Sequence, residues 1–271
     1  MIRSRISGVP YLVWMVIFIA LPLLLVGIYA FTSENREFTL ENLSGIGQYV
    51  PVLARSIWLA AIATVICLIL AFPLAFMISR MNPRRQSLML MLVMLPMWMS
   101  FLLRTYAWMS LLENNGLINR LLGLVGIGPL QMINTQGAVV LGMVYNYLPF
   151  MILPLYSVMT KIDNSVIEAA EDLGAGRSNV LGRVLIPLSA PGIKTGIIMV
   201  FVPSISTFII SRMLGGGENL LIGDLIEMQF LGNSYNPYLG SAMSLVLMVI
   251  VLLCMSVAGG TNDEQKEEML I

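Results

Sequence analysis

The chain has 271 residues, 58% hydrophobic and 11% charged, with a mean hydropathy of +0.85. Water-soluble domains average about 45–50% apolar and about 25% charged residues, so this composition excludes a soluble globular domain, a disordered chain and a nucleic-acid binder. Fifteen basic residues balance fifteen acidic ones, so only the positions of the charges carry information.

A membrane-crossing helix needs about 20 mostly apolar residues to span roughly 30 Å of hydrocarbon. Six stretches qualify, near 9–31, 56–79, 87–112, 137–160, 192–211 and 238–257. The first follows Arg3 and Arg5 as a signal peptide would, but it is too long for an h-region and no small-x-small site precedes the polar loop. A retained helix is expected. The third holds one charge, Arg104, which needs a partner or water at that depth. Glu113 lies nine residues on, about 13 Å along a helix, so Arg104 reads as a structural anchor without it. Pro73, Pro96, Pro149, Pro154 and Pro203 fall inside spans; they read as packing kinks, with hinges beside a pathway as the alternative. The expected fold class is all-α: a polytopic membrane protein of one domain, residues 1–271, with six transmembrane helices.

Orientation follows from lysine and arginine. With the N-terminus inside, inner segments hold ten: Arg3, Arg5, Arg80, Arg84, Arg85, Lys161, Arg177, Arg183, Lys194 and Lys266. Outer segments hold four, Arg36, Arg55, Arg120 and Arg212. Both termini are expected in the cytoplasm.

One inner loop, 161–191, is too long to be a plain connector, since a turn of about four residues would serve. Asp163 or Asn164 can cap a helix through Val166-Ile167-Glu168-Ala169-Ala170; Gly174 then supplies a stop, and a second helix over Ser178–Leu185 ends at Pro187. Apolar residues recur at helical spacing with charges opposite. The spacing predicts a helical hairpin on the inner face, presenting a docking surface.

Here the residues carry a resemblance. Glu168-Ala169-Ala170, three residues, Gly174, nine residues and Val184-Leu185-Ile186-Pro187 resembles the EAA-x3-G-x9-I-x-L-P loop of binding-protein-dependent ABC importer permeases, with Val184 and Ile186 standing for its Ile and Leu. The resemblance implies that Glu168, Ala169, Ala170, Gly174 and Pro187 couple the chain to a cytoplasmic ATPase. A narrower resemblance covers most of the chain. The segments 148–156, 168–191, 215–223 and 229–231 look like the spermidine/putrescine importer permeases, and are similar to the first, B-type, of that system's two permease subunits. It implies a second homologous C-type permease, an ABC ATPase dimer, an extracellular polyamine-binding protein and a bacterial plasma membrane whose lipid surrounds the chain. Arg212 departs from the acidic residue expected near that position, and the acidic tail 259–271 matches weakly.

What is missing also counts. Histidine is absent and there are two cysteines, Cys67 and Cys254, both in apolar runs; no Ser-His-Asp triad, His-ligated metal, disulfide framework or four-ligand zinc site can be built. No GxxxxGK[ST] loop occurs, so no nucleotide site, cofactor or enzymatic activity of the chain's own is expected. No inverted repeat of interrupted helices suggests a secondary transporter. The Gly192-x-x-x-Gly196 pair allows close helix contact.

A path for a flexible polycation wants carboxylates and aromatic faces. Asp224 and Glu227 are three apart, on one face if 221–230 is helical. They are the candidates for the outer vestibule, with a solvated loop face or contact with the binding protein as alternatives. Tyr145 and Tyr147, flanking Asn146 on the fourth span, are the other polar groups at depth, either touching cargo or joining helices. The function this implies is a permease subunit of an ABC importer, most directly for spermidine or putrescine. The alternatives are an importer of another small organic solute, or a stand-alone channel or structural membrane protein.

Overall fold

The computed structural model describes residues 9–33, 35–232 and 234–259. Arg3, Arg5, Lys266 and residues 260–271 lie outside them. Among the described residues every regular element is a helix, apart from one isolated bridge between Thr32 and Phe38. Four helices are long and apolar enough to cross a membrane: α1 (Pro10–Ala30), α2 (Val50–Ser79, at the end of a rod that starts at Glu41), α6 (Gln136–Met159) and α12 (Pro237–Gly259). Two further helix pairs, each bent at a short break, bring the number to six if each pair is counted as one span.

Both bends differ from the sequence expectation. The third stretch, expected as one helix over 87–112, divides into α3 (Pro83–Met94) and α4 (Phe101–Leu112). With the flanking turn Leu95–Trp98 and α5 (Leu117–Leu124), it bends by 87°. Pro96 lacks the N–H that would continue α3, and Met99 and Ser100 are extended. The fifth stretch, expected over 192–211, contains α9 (Ala190–Ile205). That helix stops two residues after Pro203, and α10 (Ile209–Gly215) starts a new axis. The hairpin helices α7 (Asn164–Asp172) and α8 (Arg177–Leu188) precede α9, and α8 meets it at 70°. A short α11 (Ile222–Leu231) leads into α12.

The core sits where α2, α6 and α9 cross. Leu59, Ala63, Cys67, Ala71 and Ala75 of α2 recur every fourth residue and are all buried, one narrow stripe of mostly small side chains. Against it lie Val140, Met143, Tyr147, Met151 and Leu155 of α6. On the other side α9 brings glycine to the contact. A Cβ at Gly192 would stand 2.9 Å from the Pro154 carbonyl, and one at Gly196 2.5 Å from Met151 Sδ. Backbones approach this closely only where small residues permit it, and in lipid such packing replaces the hydrophobic effect as the force joining helices. Cys67 belongs to this core, its thiol 3.8 Å from the Val144 carbonyl. By contrast α1 exposes Tyr11, Trp14 and Phe18, and packs on α12 near its end, where Tyr29 meets Tyr238 edge-on at 5.6 Å.

Gly192→Val pushes a branched side chain into backbone and is expected to cost about 1–3 kcal/mol, read as a lower melting temperature in detergent. Gly123→Ala, with nothing within 4 Å, should leave the melting temperature where it is or raise it. Equal melting temperatures for the wild type and Gly192→Val would refute the close crossing.

Candidate functional site

The hairpin α7–α8 is helical yet largely uncovered, and unlike α1 it carries many charged residues. Glu168, Ala169, Gly174 and Pro187 are exposed and Ala170 is half-buried. The turn has a specific geometry. Gly174 N–H donates to the Glu171 carbonyl at 2.9 Å and Ala175 N–H to the Ala170 carbonyl at 3.0 Å, while Gly174 has φ +81°. These two bonds form the glycine-capped helix end that needs a left-handed residue at this position. No neighbour lies within 4 Å of a Cβ built there, so the requirement is conformational, not one of space. Val166, Ala169 and Leu173 share one face of α7, and Leu173 is 89% exposed at its end. Leu173 therefore stands bare beside the exposed acids Glu168, Glu171 and Asp172.

The other face turns inward. Ile167 and Glu171 look onto a largely apolar cavity of about 840 Å³, closed by Phe72 and Phe76 of α2 and by Leu181 and Leu185 of α8. The hairpin therefore stands off the bundle and is held at defined points. The main one is Arg80, at the end of α2. Its guanidinium lies over the Phe76 ring at 5.3 Å and donates to the Ile162 carbonyl at 2.9 Å and to the Asn164 side-chain oxygen. Next to it Gln86 of α3 donates to the carbonyls of Ser79 (3.1 Å) and Met81 (2.8 Å) and accepts from the Tyr156 hydroxyl of α6 at 2.9 Å. Four elements are thus tied at the root of the hairpin. Two sequence expectations change here. Asp163 precedes α7 without a side-chain cap, and Asn164 faces Arg80 instead of capping. The second hairpin helix also runs through Pro187 to Leu188, because a π turn at Leu181–Leu185 accommodates the proline. Arg80 was legible only as one more inner basic residue; its contacts are 82 and 84 residues away in sequence.

The acidic pair lies at the opposite end of the bundle, between α10 and α12. Asp224 is fully buried, and its Oδ2 accepts the Leu221 N–H at 2.8 Å, capping α11. Glu227 sits one turn on and pairs with both terminal nitrogens of Arg212, whose Nε is 3.8 Å from Asp224 Oδ1. Burial pushes the Asp224 carboxyl above its usual range, and the hydrogen-bonded guanidinium holds Glu227 below it. The two carboxylates are therefore together, and Arg212, which looked out of place in the sequence, is their counter-ion. A glycine turn makes this possible. Gly216 has φ +63° and ψ −177°, a conformation open essentially to glycine alone, and a Cβ there would meet Asn134 Oδ1 at 2.8 Å. The start of α11 is fixed by Ile222 N–H donating to Ser56 Oγ of α2 at 2.8 Å.

The structure does not bring Tyr145 and Tyr147 to this cluster. Tyr145 packs edge-on against Trp108 at 5.3 Å, and the buried Tyr147 donates to the Pro203 carbonyl at 3.4 Å, one of the carbonyls left open at the end of α9. Arg104 is buried with its charge over Phe101 at 5.9 Å, and its Nε and Nη1 have no hydrogen bond. No cluster of three potential metal ligands occurs among the described residues.

Residues 68–260 match the family described as "Binding-protein-dependent transport system inner membrane component". The chain is 39% identical over 252 residues to the spermidine/putrescine transport system permease protein PotB of Haemophilus influenzae, covering 89% of this chain and 87% of that one. It is 36% identical over 254 residues to PotB of Escherichia coli, covering 90% and 92%. The fold matches a crystallised bacterial alginate ABC transporter in complex with an alginate pentasaccharide-bound periplasmic protein, with TM-score 0.78, 16% identity and coverage of 94% of this chain and 92% of that one.

Arg80→Ala removes a charged donor from two acceptors at the root of α7, an effect of about 1.5–3 kcal/mol. Amide exchange across 163–173 is then expected to rise roughly 10- to 100-fold, with α6 and α9 unchanged. Unaltered exchange in the hairpin would mean that Arg80 does not hold it.

Proposed function

This chain belongs to the binding-protein-dependent transport system inner membrane component family, and from that premise we propose that it is the membrane-spanning subunit of an ABC importer that carries spermidine or putrescine. The single observation that carries the reading is the exposed α7–α8 hairpin, with Glu168-Ala169-Ala170 and the Gly174 turn, in a chain 39% identical to a spermidine/putrescine permease. A channel has no use for such a docking element. The chain has no phosphate-binding loop, so ATP is hydrolysed by a partner.

In this reading the hairpin faces the cytoplasm, as do both termini, and enters a groove on an ATPase dimer. Leu173 and Ala169 supply the apolar contact, Glu168 the charged rim, and Gly174 the turn that sets the angle between α7 and α8. Closure of the ATPases moves the hairpin, and Arg80 passes the displacement to α2. A second, homologous permease completes the pathway, and an extracellular polyamine-binding protein delivers cargo to the far end, where Asp224 and Glu227 lie. The complex of the similarly folded alginate transporter with its periplasmic protein supports a binding-protein partner. The bundle is a two-state device whose equilibrium is biased from both ends.

Co-expression with candidate partners followed by purification on a tagged chain, then uptake of labelled spermidine into ATP-loaded proteoliposomes, tests the proposal. ATP-dependent accumulation is expected. An importer that stimulates its ATPase yet moves no polyamine would favour another organic solute.

Glu168→Ala and Gly174→Asp should reduce uptake and ATPase stimulation together while the subunit remains in the membrane. Gly174→Asn should be milder than Gly174→Val, because asparagine tolerates a left-handed backbone that otherwise costs about 1–2 kcal/mol. Wild-type coupling in Gly174→Val would sink the role of the turn. For orientation, a cysteine at Gln48 should react with an impermeant reagent from outside and one at Asn179 only after permeabilisation, in a chain lacking Cys254. Outside labelling at position 179 would reverse the topology.

A further inference from the structure

Arg212, Asp224 and Glu227 form a site with a cation already in it. The carboxylates are the fixed half. Both are on α11, whose start is held by Leu221 N–H on Asp224 and by Ser56 on Ile222. The guanidinium is the movable half, since the Arg212 side chain is 46% exposed and flexible along its stem. Its grip is incomplete. It engages Glu227 through both terminal nitrogens, but Asp224, with no exposed surface, has the Leu221 N–H on Oδ2 and beside it the Ser211 hydroxyl, which also donates to the Phe208 carbonyl at 3.1 Å, while its Oδ1 faces the guanidinium Nε only at 3.8 Å. That distance is beyond hydrogen-bond reach. A planar fork that fits Glu227 cannot also reach this atom, whereas a compact ammonium with three tetrahedral donors can approach both carboxylates.

The surroundings suit the rest of a polyamine. Glu227 lines a cavity of about 420 Å³ that also meets Ser206, Phe208, Ser244, Leu247 and Val251. Val251 lies 14 residues into α12, about 21 Å along its axis from Pro237, so the groove runs along α12 away from the helix start. Its wall is apolar, as methylene segments need. The two serine hydroxyls donate to their own helices, Ser206 to the Val202 carbonyl at 3.0 Å and Ser244 to the Gly240 carbonyl at 2.8 Å. Their oxygens remain acceptors, which serve N–H donors and not an anion. Phe208 adds an aromatic face.

We propose that Arg212 is a tethered stand-in for the cargo: it occupies the Asp224–Glu227 site in the empty importer and is displaced by an ammonium group of the entering polyamine. The inference rests on the polyamine reading above and adds a residue that sets apparent affinity. A site occupied by its own side chain binds cargo more weakly by the fraction of time it is vacant. Such a latch also keeps the buried Asp224 and the half-buried Glu227 from standing uncompensated between transport cycles, which is costly for the buried one.

A structural ion pair predicts the opposite behaviour, so a double-mutant cycle separates the two. The complete importer, reconstituted in proteoliposomes, is assayed for the KM of labelled spermidine with R212Q, E227Q and the double variant R212Q/E227Q. Displacement predicts that E227Q raises KM, that R212Q lowers it about two- to fivefold, in line with a partly exposed pair, and that R212Q has no further effect once Glu227 is neutral. If R212Q raises KM or leaves it unchanged, or if the double variant recovers wild-type uptake from two impaired single variants, the pair is structural and the proposal is wrong. Where R212Q does not assemble, R212M decides: it keeps an unbranched stem but removes the cation, and its KM must fall below that of the wild type. Absence of spermidine uptake in the wild type overturns the polyamine reading and this proposal together; uptake in the wild type with an unimproved R212Q overturns this proposal alone.

Discussion

The close crossing of α6 with α2 and α9 is the contact on which the rest of the molecule depends. Helices in lipid gain nothing by hiding apolar side chains from apolar tails, so their association comes from how tightly backbones fit. The alanine and cysteine stripe of α2 and the Gly192–Gly196 pair of α9 let α6 lie against both, with Gly192 in contact range of the Pro154 carbonyl. That choice explains the prolines as well. Pro149 and Pro154 stand in α6 and Pro203 near the end of α9, where neighbouring helices can satisfy the carbonyls that proline leaves open. Tyr147 does so for the Pro203 carbonyl. A tyrosine that could have been assigned to cargo is committed to structure.

From this core the two ends of the bundle are built differently. At the hairpin end the polar contacts are few, directional and made to backbone carbonyls. Arg80 and Gln86 join the ends of α2 and α3 to the root of α7 and to α6, above an apolar cavity that leaves the hairpin room to shift. This is how a rigid helix can be moved as a unit by a partner. At the opposite end charges are gathered instead. The glycine turn at 215–217 folds α10 and α11 so that Arg212, Asp224 and Glu227 meet beside α12.

Breaks in helices do as much as helices. The 87° bend between the halves of the third span, the 70° turn from α8 into α9 and the interruption at 206–208 each fall at a proline or beside a backbone stretch that takes up foreign contacts. Gly223 illustrates the last: a Cβ there would stand 2.5 Å from the Ser206 carbonyl, so α11 can start only where this interruption leaves space for a glycine. This end of the fold is therefore assembled from short pieces placed by close contacts.

The amino-acid sequence by itself determined the all-α membrane class of the protein and the helix–glycine turn that opens its inner hairpin. Length and hydropathy of apolar runs are local quantities, and the helix at 164–172 with its glycine stop is written within about a dozen residues, so both could be read directly. The family resemblance rested on the same local string. Only the tertiary structure decided where spans break, because a proline is compatible with either a kink or a right-angle turn and the neighbours choose. It alone also decided partners for the charges. Arg80 finds Asn164 across 84 residues, and Arg212 finds Glu227 only after a left-handed glycine reverses the chain. Pairing of this kind depends on the packing of whole helices, a long-range property that no window of sequence contains.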